Sequence, residues 1–286
     1  MIAALLSMRA SSQQAMLDEF FASLLGQPGL VRAVSDRAFA QARQRLHMPA
    51  LSWLNEQLLD GAERTQMVPR WCGFRLVAAD ASVLMPAVRP CHRTVSARAE
   101  ALATLNVPSA RDAEDWGCAR VAPAVRLVRH VAPGGAIRVL ATNLGAEEVP
   151  AAAFGDLYHQ RWRIEEAFKR LKHRLHLEAV SGLSQQALII DVAAKVLADN
   201  IAALLCAAAL AEHAPDDATR RCNRSYAPRL VQRALPGILL MVGDVLAAIA
   251  GALSQLAANT HRFRQGRSRP RPPNHVKPHA RHAYKG

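Results

Sequence analysis

The chain has 286 residues, 51% of them apolar, so it can bury the core of one large or two modest globular domains. This excludes a disordered chain and a mini-protein. Its 36 Lys and Arg outnumber 23 Asp and Glu, and the formal net charge of +13 indicates a polyanionic partner.

The first 70 residues carry the apolar spacing of three and four that is typical of amphipathic helices. Three segments, separated by Gly or Pro, are SSQQAMLDEFFASLLG, VSDRAFAQARQRL and PALSWLNEQLLDGA. Ser35 can cap the second helix, which Arg37, Arg43 and Arg45 make basic. Arg37 and Arg45 share one side, which could contact a DNA backbone in a helix-turn-helix arrangement. An ordinary solvated helix face explains the same pattern equally well.

After Trp71 the sequence changes to GFRLVAADASVLMP, whose apolar run has the length of one strand. We expect a buried strand near 74–80 that ends at Asp80. A carboxylate at the end of such a strand is costly without a partner, and a bound cation is one such partner. Asp80 is therefore a candidate metal ligand.

Between Val88 and Val121 the pattern is too poor to assign. The segments AVRLVRHV and AIRVLATNL follow, joined by the turn-like APGG. Alternation in the first segment and the Gly pair at the bend predict a hairpin with strands near 124–131 and 136–142.

The segment from Ala151 to about Leu177 is predicted to form one long helix, because it has no Pro and Gly only near its start. Further helices are expected at 185–211 and 230–258. Both contain long apolar stretches. Charged residues interrupt the first, and Asp244 with two glycines interrupts the second, so we interpret them as buried helices and not as membrane spans.

Residues 261–286 hold eight Lys or Arg, four His and no acid, so the rest of the chain carries only +5. We expect a flexible tail that contacts DNA without sequence preference, because cationic side chains spread among prolines cannot build a core. The five Cys show no metal-binding spacing, and their odd number favours free thiols in a reducing compartment. No basic region precedes the first apolar run, so we expect no secretory signal and a cytoplasmic protein.

Within the predicted long helix, four polar residues follow one another at steps of 3, 4 and 7: Tyr158, Arg161, Glu165 and Lys172. At 100° per residue these steps bring all four to one helix face. On spacing alone, an Arg161–Glu165 ion pair between solvated neighbours explains the pattern, and such a pair contributes only about a few tenths of a kcal/mol.

The four residues together match the signature Y-x2-R-x3-E-x6-K, and here the sequence resembles the bacterial insertion-sequence transposases of the insertion-sequence-four family, which belong to the DDE class. YHQRWRIEEAFKRLK resembles the Tyr-Arg-Glu-Lys box of that family, and VLATNL resembles the strand that leads into it. VAADAS resembles the strand with the first catalytic carboxylate. SDRAFAQARQRL resembles the N-terminal helical region, and a basic tail ending in a Tyr-Lys pair is typical. The resemblance covers most of the chain.

This resemblance implies a helix-rich α/β fold in which a ribonuclease-H-like core follows an all-helical domain. It divides the chain into a helical DNA-binding-like domain at 1–70, a DDE catalytic core with C-terminal helices at 71–260 and the basic flexible tail at 261–286. Compared with the family, the chain looks internally deleted between roughly Met85 and Ala124, so several core strands are expected to be missing.

The resemblance also implies a transposase, which nicks insertion-element ends by metal-dependent hydrolysis and joins the freed 3′ hydroxyl to target DNA. Asp80 and Glu165 would be the catalytic carboxylates and the ligands of Mg²⁺ or Mn²⁺. The DNA-binding residues would be Tyr158, Arg161 and Lys172. The implied partners are double-stranded terminal repeats and target DNA, with no membrane contact and room for a homodimer on the DNA.

The family pattern also needs a middle Asp on a strand, and here the chain departs from it. Only 84 residues separate Asp80 from Glu165, and no acid between them ends an apolar strand. Asp112 and Asp115 are the candidates for this ligand, although their RDAED segment is typical of a solvated turn. The alternative function is a non-catalytic DNA-binding remnant. With two carboxylates alone, we expect one weak Mg²⁺ or Mn²⁺ site and not a catalytic pair.

Overall fold

The computed structural model of the chain describes most of its residues and divides them into two compact units. One unit comprises Met1–Val68 together with the chain from Phe168 onward, and the other comprises Pro69–Ala167. The described residues are 1–7, 12–77, 99–132, 135–160, 162–177, 182, 184–217 and 219–263.

In chain order, the helices and strands begin in the first unit, enter the second at Pro69 and return to the first at Phe168. Up to residue 116 they are α1 Ile2–Ser7, α2 Gln13–Leu24, α3 Asp36–Gln44, α4 Ala50–Arg64, β1 Arg70–Trp71, β2 Phe74–Arg75, β3 Glu100–Thr104 and α5 Ala110–Trp116. The sheet and the following helices are β4 Ala124–Val131, β5 Ile137–Thr142, a 3-10 turn Ala151–Ala153, α6 Phe154–Gln160, α7 Trp162–Lys169 and a π-helical turn Arg170–Arg174. The remainder is α8 Gln185–His213, β6 Arg220–Cys222, α9 Ala227–Leu239, α10 Val245–Ala258 and β7 Thr260–Arg262.

The first unit is built around α8, the longest described helix. Ser184 caps it, since its side chain accepts a hydrogen bond from Ala187 N at 3.1 Å. α8 packs against α1, α4, α9 and α10. Leu17, Leu51 and Ile190 are at most 1% exposed in the shared core, and burying each side chain stabilises the fold by about 1.5–3 kcal/mol.

The N-terminal helices form where the apolar spacing predicts them. α2, α3 and α4 lie in the three expected segments, and Ser35 caps α3 by accepting a hydrogen bond from Ala38 N at 3.2 Å. Their buried side chains, among them Leu17 and Phe39, belong to the same core as Ile190 of α8. The helices predicted as an N-terminal domain therefore share their core with helices that follow residue 168.

The second unit contains a three-stranded antiparallel sheet in the order β3-β4-β5. The predicted hairpin is confirmed, because β4 pairs with β5 from Val131 opposite Ile137 to Arg126 opposite Thr142. Gly135 has φ +80° at the bend, a conformation that glycine adopts without strain. Val128 of β4 is fully buried beside Val149 and Phe154. The chain thus has a mixed helix and sheet fold.

Two predictions before residue 120 are wrong. At 74–77 we expected a buried strand, but only Phe74–Arg75 is a strand, paired with Arg70–Trp71 in a small hairpin, and Val77 is 81% exposed. Asp80 lies outside the described residues. The RDAED segment is not a turn, because it lies in helix α5.

Two helix predictions also need correction. The helix expected from Ala151 to about Leu177 begins as a 3-10 turn and ends as a π-helical turn. The helix expected at 230–258 is two helices, α9 and α10. They are separated by a bend at Gly243, whose φ is +72°, and Asp244 caps α10 through a hydrogen bond from Ala247 N. Gly243 and Asp244 are residue types that end one helix and cap the next, so the sequence carried a signal for this bend.

Two smaller features also bear on the sequence predictions. Of the described helices, none has both the length and the hydropathy that crossing a membrane requires. The four cysteines in the described part of the chain form no disulfide: Cys72, Cys118, Cys206 and Cys222. Burial raises the pKa of Cys206 to about 12, so this thiol stays protonated at neutral pH.

Candidate active site

The sheet and the helix after it position Tyr158 of α6. His130 of β4 lies directly opposite Arg138 of β5, and both side chains face Tyr158. The Arg138 guanidinium lies 4.8 Å from the centre of the Tyr158 ring, and the His130 ring centre lies 6.2 Å from it. Gly155 leaves room for this packing, since a Cβ there would be 2.9 Å from the His130 ring. The tyrosine ring is therefore held by a cation–π contact on a regular strand pair.

Arg126 fixes the connection between β5 and α6. Its side chain is 7% exposed, and its Nε donates to Glu100 Oε2 at 2.6 Å. Its Nη1 donates to the carbonyls of Gly145 at 3.0 Å and Val149 at 2.7 Å, and the guanidinium lies 5.5 Å from the centre of the Phe154 ring. One buried arginine thus holds the loop that leads into the helix of Tyr158. Sequence reasoning missed it, although a charge at the centre of an apolar strand was a signal.

Glu165 lies on α7 and is half-buried, seven residues after Tyr158. Arg161, between them, lies outside the described residues. A half-buried carboxylate is a suitable oxygen ligand for a hard divalent cation, so the donor chemistry of Glu165 fits Mg²⁺ or Mn²⁺. Asp80, the second predicted ligand, also lies outside the described residues.

Lys172 lies in the π-helical turn Arg170–Arg174, and its side chain is exposed. The backbone N of Leu175 donates to Arg170 O at 3.0 Å, an i to i+5 bond. The 100° step used to place Lys172 on the face of Glu165 does not apply in such a turn. Two contacts to α8 hold the turn and the residues after it: Arg170 Nη2 lies 3.2 Å from Asp199 Oδ2, and Lys195 Nζ donates to His176 O at 2.6 Å.

Three of the acids described between the two predicted ligands have partners within the protein. Glu100 pairs with Arg126, and Asp115 lies 3.6 Å from Arg111 on α5. Asp156 Oδ2 accepts from Gln160 at 2.8 Å. Among the described residues, no group of three or more His, Cys, Asp or Glu is close enough to hold a metal ion.

Two arginines of α3, Arg37 and Arg43, and Arg45, its C-cap, differ in their surroundings. Arg43 is buried, and its Nη1 lies 3.3 Å from Asp191 Oδ1 on α8. Arg37 and Arg45 are exposed. Only these two could take part in the predicted DNA contact of this helix.

The family model of the transposase DDE domain matches residues 13–201, more than half of the chain. The chain belongs to the DDE transposase family. No curated protein and no solved structure matches this transposase chain. The matched region runs from α2 through the sheet, α6 and α7 into α8, so it includes Tyr158, Glu165 and Lys172. The ribbon of β6 and β7 follows the matched region.

Membership in this family supports transposition as the process in which the chain takes part and DNA as its partner. In the transposase, the strand pair β4–β5 and the helix α6 position one predicted site residue, Tyr158. Because Tyr158 is fixed there by Arg138 and His130, a hydrogen bond from its hydroxyl would have a defined direction.

Proposed function

We propose that the chain is a DNA transposase of the insertion-sequence-four type, which cleaves a phosphodiester bond at insertion-element ends and transfers the freed 3′ hydroxyl to target DNA. The match to the DDE domain across 13–201 carries this proposal. Support comes from the four-residue spacing of Tyr158, Arg161, Glu165 and Lys172 within the matched region. The proposal includes an internal deletion between roughly Met85 and Ala124, a ribonuclease-H-like core that this deletion shortens, and action in the cytoplasm.

The carboxylates of Asp80 and Glu165 are the proposed ligands of Mg²⁺ or Mn²⁺. A divalent ion held there would activate the attacking oxygen at the scissile phosphate. Glu165 would hold its oxygens at a half-buried position on a regular helix, where fewer side-chain conformers are available than on a loop.

The proposed DNA contacts come from three side chains. Tyr158 would donate its hydroxyl to a phosphate oxygen, and Arg161 and Lys172 would neutralise backbone charge. The exposed side chain of Lys172, on a turn anchored to α8, supports this proposed contact. These contacts position the strand and carry no sequence information, so specificity for the terminal repeats must come from other parts of the chain.

A second candidate is a non-catalytic DNA-binding remnant of such a transposase. It is favoured by the structural roles of Glu100, Asp115 and Asp156, each of which has a partner of its own. Asp112 and Asp115 lie on helix α5, whereas the middle Asp of the family lies on a strand. Without a third carboxylate, a second cation beside the first would face uncompensated positive charge.

Nicking of a supercoiled plasmid distinguishes the two candidates. If the chain is an active transposase, the wild-type chain converts the plasmid to the open circle in the presence of Mg²⁺ and Glu165→Gln falls to background, because the variant loses a charged ligand. Glu166→Gln, a change at the exposed neighbouring position, is the matched control and should keep the activity. Equal nicking by wild type and Glu165→Gln would remove the enzyme and leave the DNA-binding remnant.

A further inference from the structure

The two-stranded ribbon β6–β7 carries a concentration of positive charge outside the region matched to the DDE domain. Residues 219–224 and 259–263 include four arginines and no acid: Arg220, Arg221, Arg224 and Arg262. The basic segment 264–286 follows immediately, with seven more Lys or Arg. The ribbon is therefore the first part of this basic region, and the structure describes it.

The register of the ribbon sorts these side chains onto two faces. Arg221 lies opposite His261, whereas Cys222 lies opposite Thr260. Directly opposed residues share a face, and successive residues alternate. Cys222 is 5% exposed in a core with Ala209 and Leu256, so its face is turned inward. The other face, with Arg221 and His261, is turned to solvent, and both side chains are exposed.

Phe263 extends the solvent face by one step. It follows His261 by two residues, is 52% exposed, and its backbone N donates to Thr219 O at 2.7 Å, so its position is fixed. The Arg221 guanidinium lies 5.6 Å from the centre of the Phe263 ring, and Arg221 Nη1 donates to Arg220 O at 2.7 Å. These two contacts orient the guanidinium before any ligand binds, which reduces the conformational entropy lost on binding.

The opposed arginines Arg220 and Arg262 are stabilised in a different way. Asp217 Oδ2 lies 3.4 Å from Arg220 Nε and 3.9 Å from Arg262 Nε. Arg220 Nη1 also donates to Thr260 Oγ1 at 2.7 Å. Asp217 is therefore engaged with the pair that does not share the face of Arg221. Asp217 reduces the repulsion between Arg220 and Arg262, which lie opposite each other in the ribbon. Because Asp217 is engaged with that pair, the solvent face with Arg221 keeps its positive charge.

We propose that the solvent face of this ribbon, formed by Arg221, His261 and Phe263, is a DNA-binding surface that contacts the phosphate backbone of a duplex. A narrow antiparallel ribbon fits a DNA groove, and an oriented guanidinium can form two hydrogen bonds to one phosphate. The surface belongs to the unit that includes α8, whereas Tyr158 belongs to the other unit. The proposal rests on the action on DNA proposed above.

Fluorescence anisotropy with a labelled duplex and the full chain tests this surface. Arg221→Gln should weaken DNA binding about five- to tenfold and reduce the slope of log affinity against log salt by about one. Phe263→Leu keeps an apolar side chain but loses the cation–π contact, so it should give a smaller loss. The matched control is Arg233→Gln, which removes the same charge from an exposed position on α9 of the same unit.

The outcomes separate this surface from the proposed catalysis. We expect Arg221→Gln to lose affinity while its unfolding temperature stays at the wild-type value, and Glu165→Gln to keep DNA affinity. If Arg221→Gln binds DNA as tightly as Arg233→Gln, with the same salt slope, the surface does not exist, whatever the nicking assay shows. Absence of DNA binding by the wild-type chain would overturn the surface and the proposed function together.

Discussion

Arg43 of α3 and Asp191 of α8 form an ion pair in the interior of the first unit. Their side chains are each 6% exposed, and Arg43 Nη1 lies 3.3 Å from Asp191 Oδ1. A pair this deeply buried gains little net stability, because both charges lose their hydration. Removing one partner is much more costly, because it leaves a desolvated charge. Because breaking the pair is costly, it holds α3 against α8.

We expect Asp191→Ala to lower the free energy of unfolding by about 3–5 kcal/mol, since the Arg43 guanidinium loses its carboxylate while staying buried. Urea denaturation with an unchanged m-value would measure this loss. Asp216→Ala, at an exposed carboxylate, is the control and should stay within about 0.5 kcal/mol of wild type. A loss in Asp191→Ala no larger than in Asp216→Ala would show that the pair does not hold α3.

Among the helices and strands, the sequence predicts the features that depend on residues close together along the chain. The helices α2, α3 and α4, the cap at Ser35 and the β4–β5 hairpin follow from local spacing and from turn residues, and the structure has them. The π-helical turn at Lys172 is different, because it changes the helical register within five residues, which is too short a segment for apolar periodicity to reveal. A charge within an apolar strand marks Arg126 as unusual, but the carbonyls that it binds lie 19 and 23 residues along the chain, so its partners do not follow from local spacing.

Replacing Arg126 tests how the connection between β5 and α6 is held in place. In Arg126→Lys, an ammonium cannot reach Glu100 and the carbonyls of Gly145 and Val149 as the guanidinium does. We expect a loss of about 2–3 kcal/mol in the free energy of unfolding, because buried acceptors lose their donors. Amide hydrogen exchange should also become faster in the loop 143–150.

The same substitution at an exposed arginine, Arg120→Lys, is the control for Arg126→Lys and should change neither stability nor exchange. Unchanged exchange at Gly145 and Val149 in Arg126→Lys would contradict the role of Arg126 in holding the loop that leads to Tyr158.

At the scale of the whole chain, helices from both ends of the sequence share one hydrophobic core. Leu17 and Leu51 pack in the same cluster as Ile190 and Val231. Periodicity predicts that each helix has an apolar face but does not identify the helix that covers it. The division into units at residues 68 and 168 could therefore not be predicted from local spacing.

The candidate site likewise has features that the sequence predicts and contacts that it does not. The spacing of Tyr158, Glu165 and Lys172 identifies a region that the family match includes. The side chains that hold Tyr158 in place, Arg138 and His130, come from two strands and become neighbours only through the β4–β5 register. The pairing of Asp80 with Glu165 remains a prediction of the resemblance, and the number of metal ions the chain binds depends on it.

Titration of the full chain with Mn²⁺, followed by electron paramagnetic resonance, tests this metal site most directly. Two carboxylates can hold one hard divalent cation with several water ligands. We predict one weakly bound ion per chain, lost in Asp80→Asn and in Glu165→Gln and kept in Glu166→Gln. Binding that is unchanged in Glu165→Gln, or two ions abolished by Asp112→Ala or Asp115→Ala, would contradict a single site formed by Asp80 and Glu165.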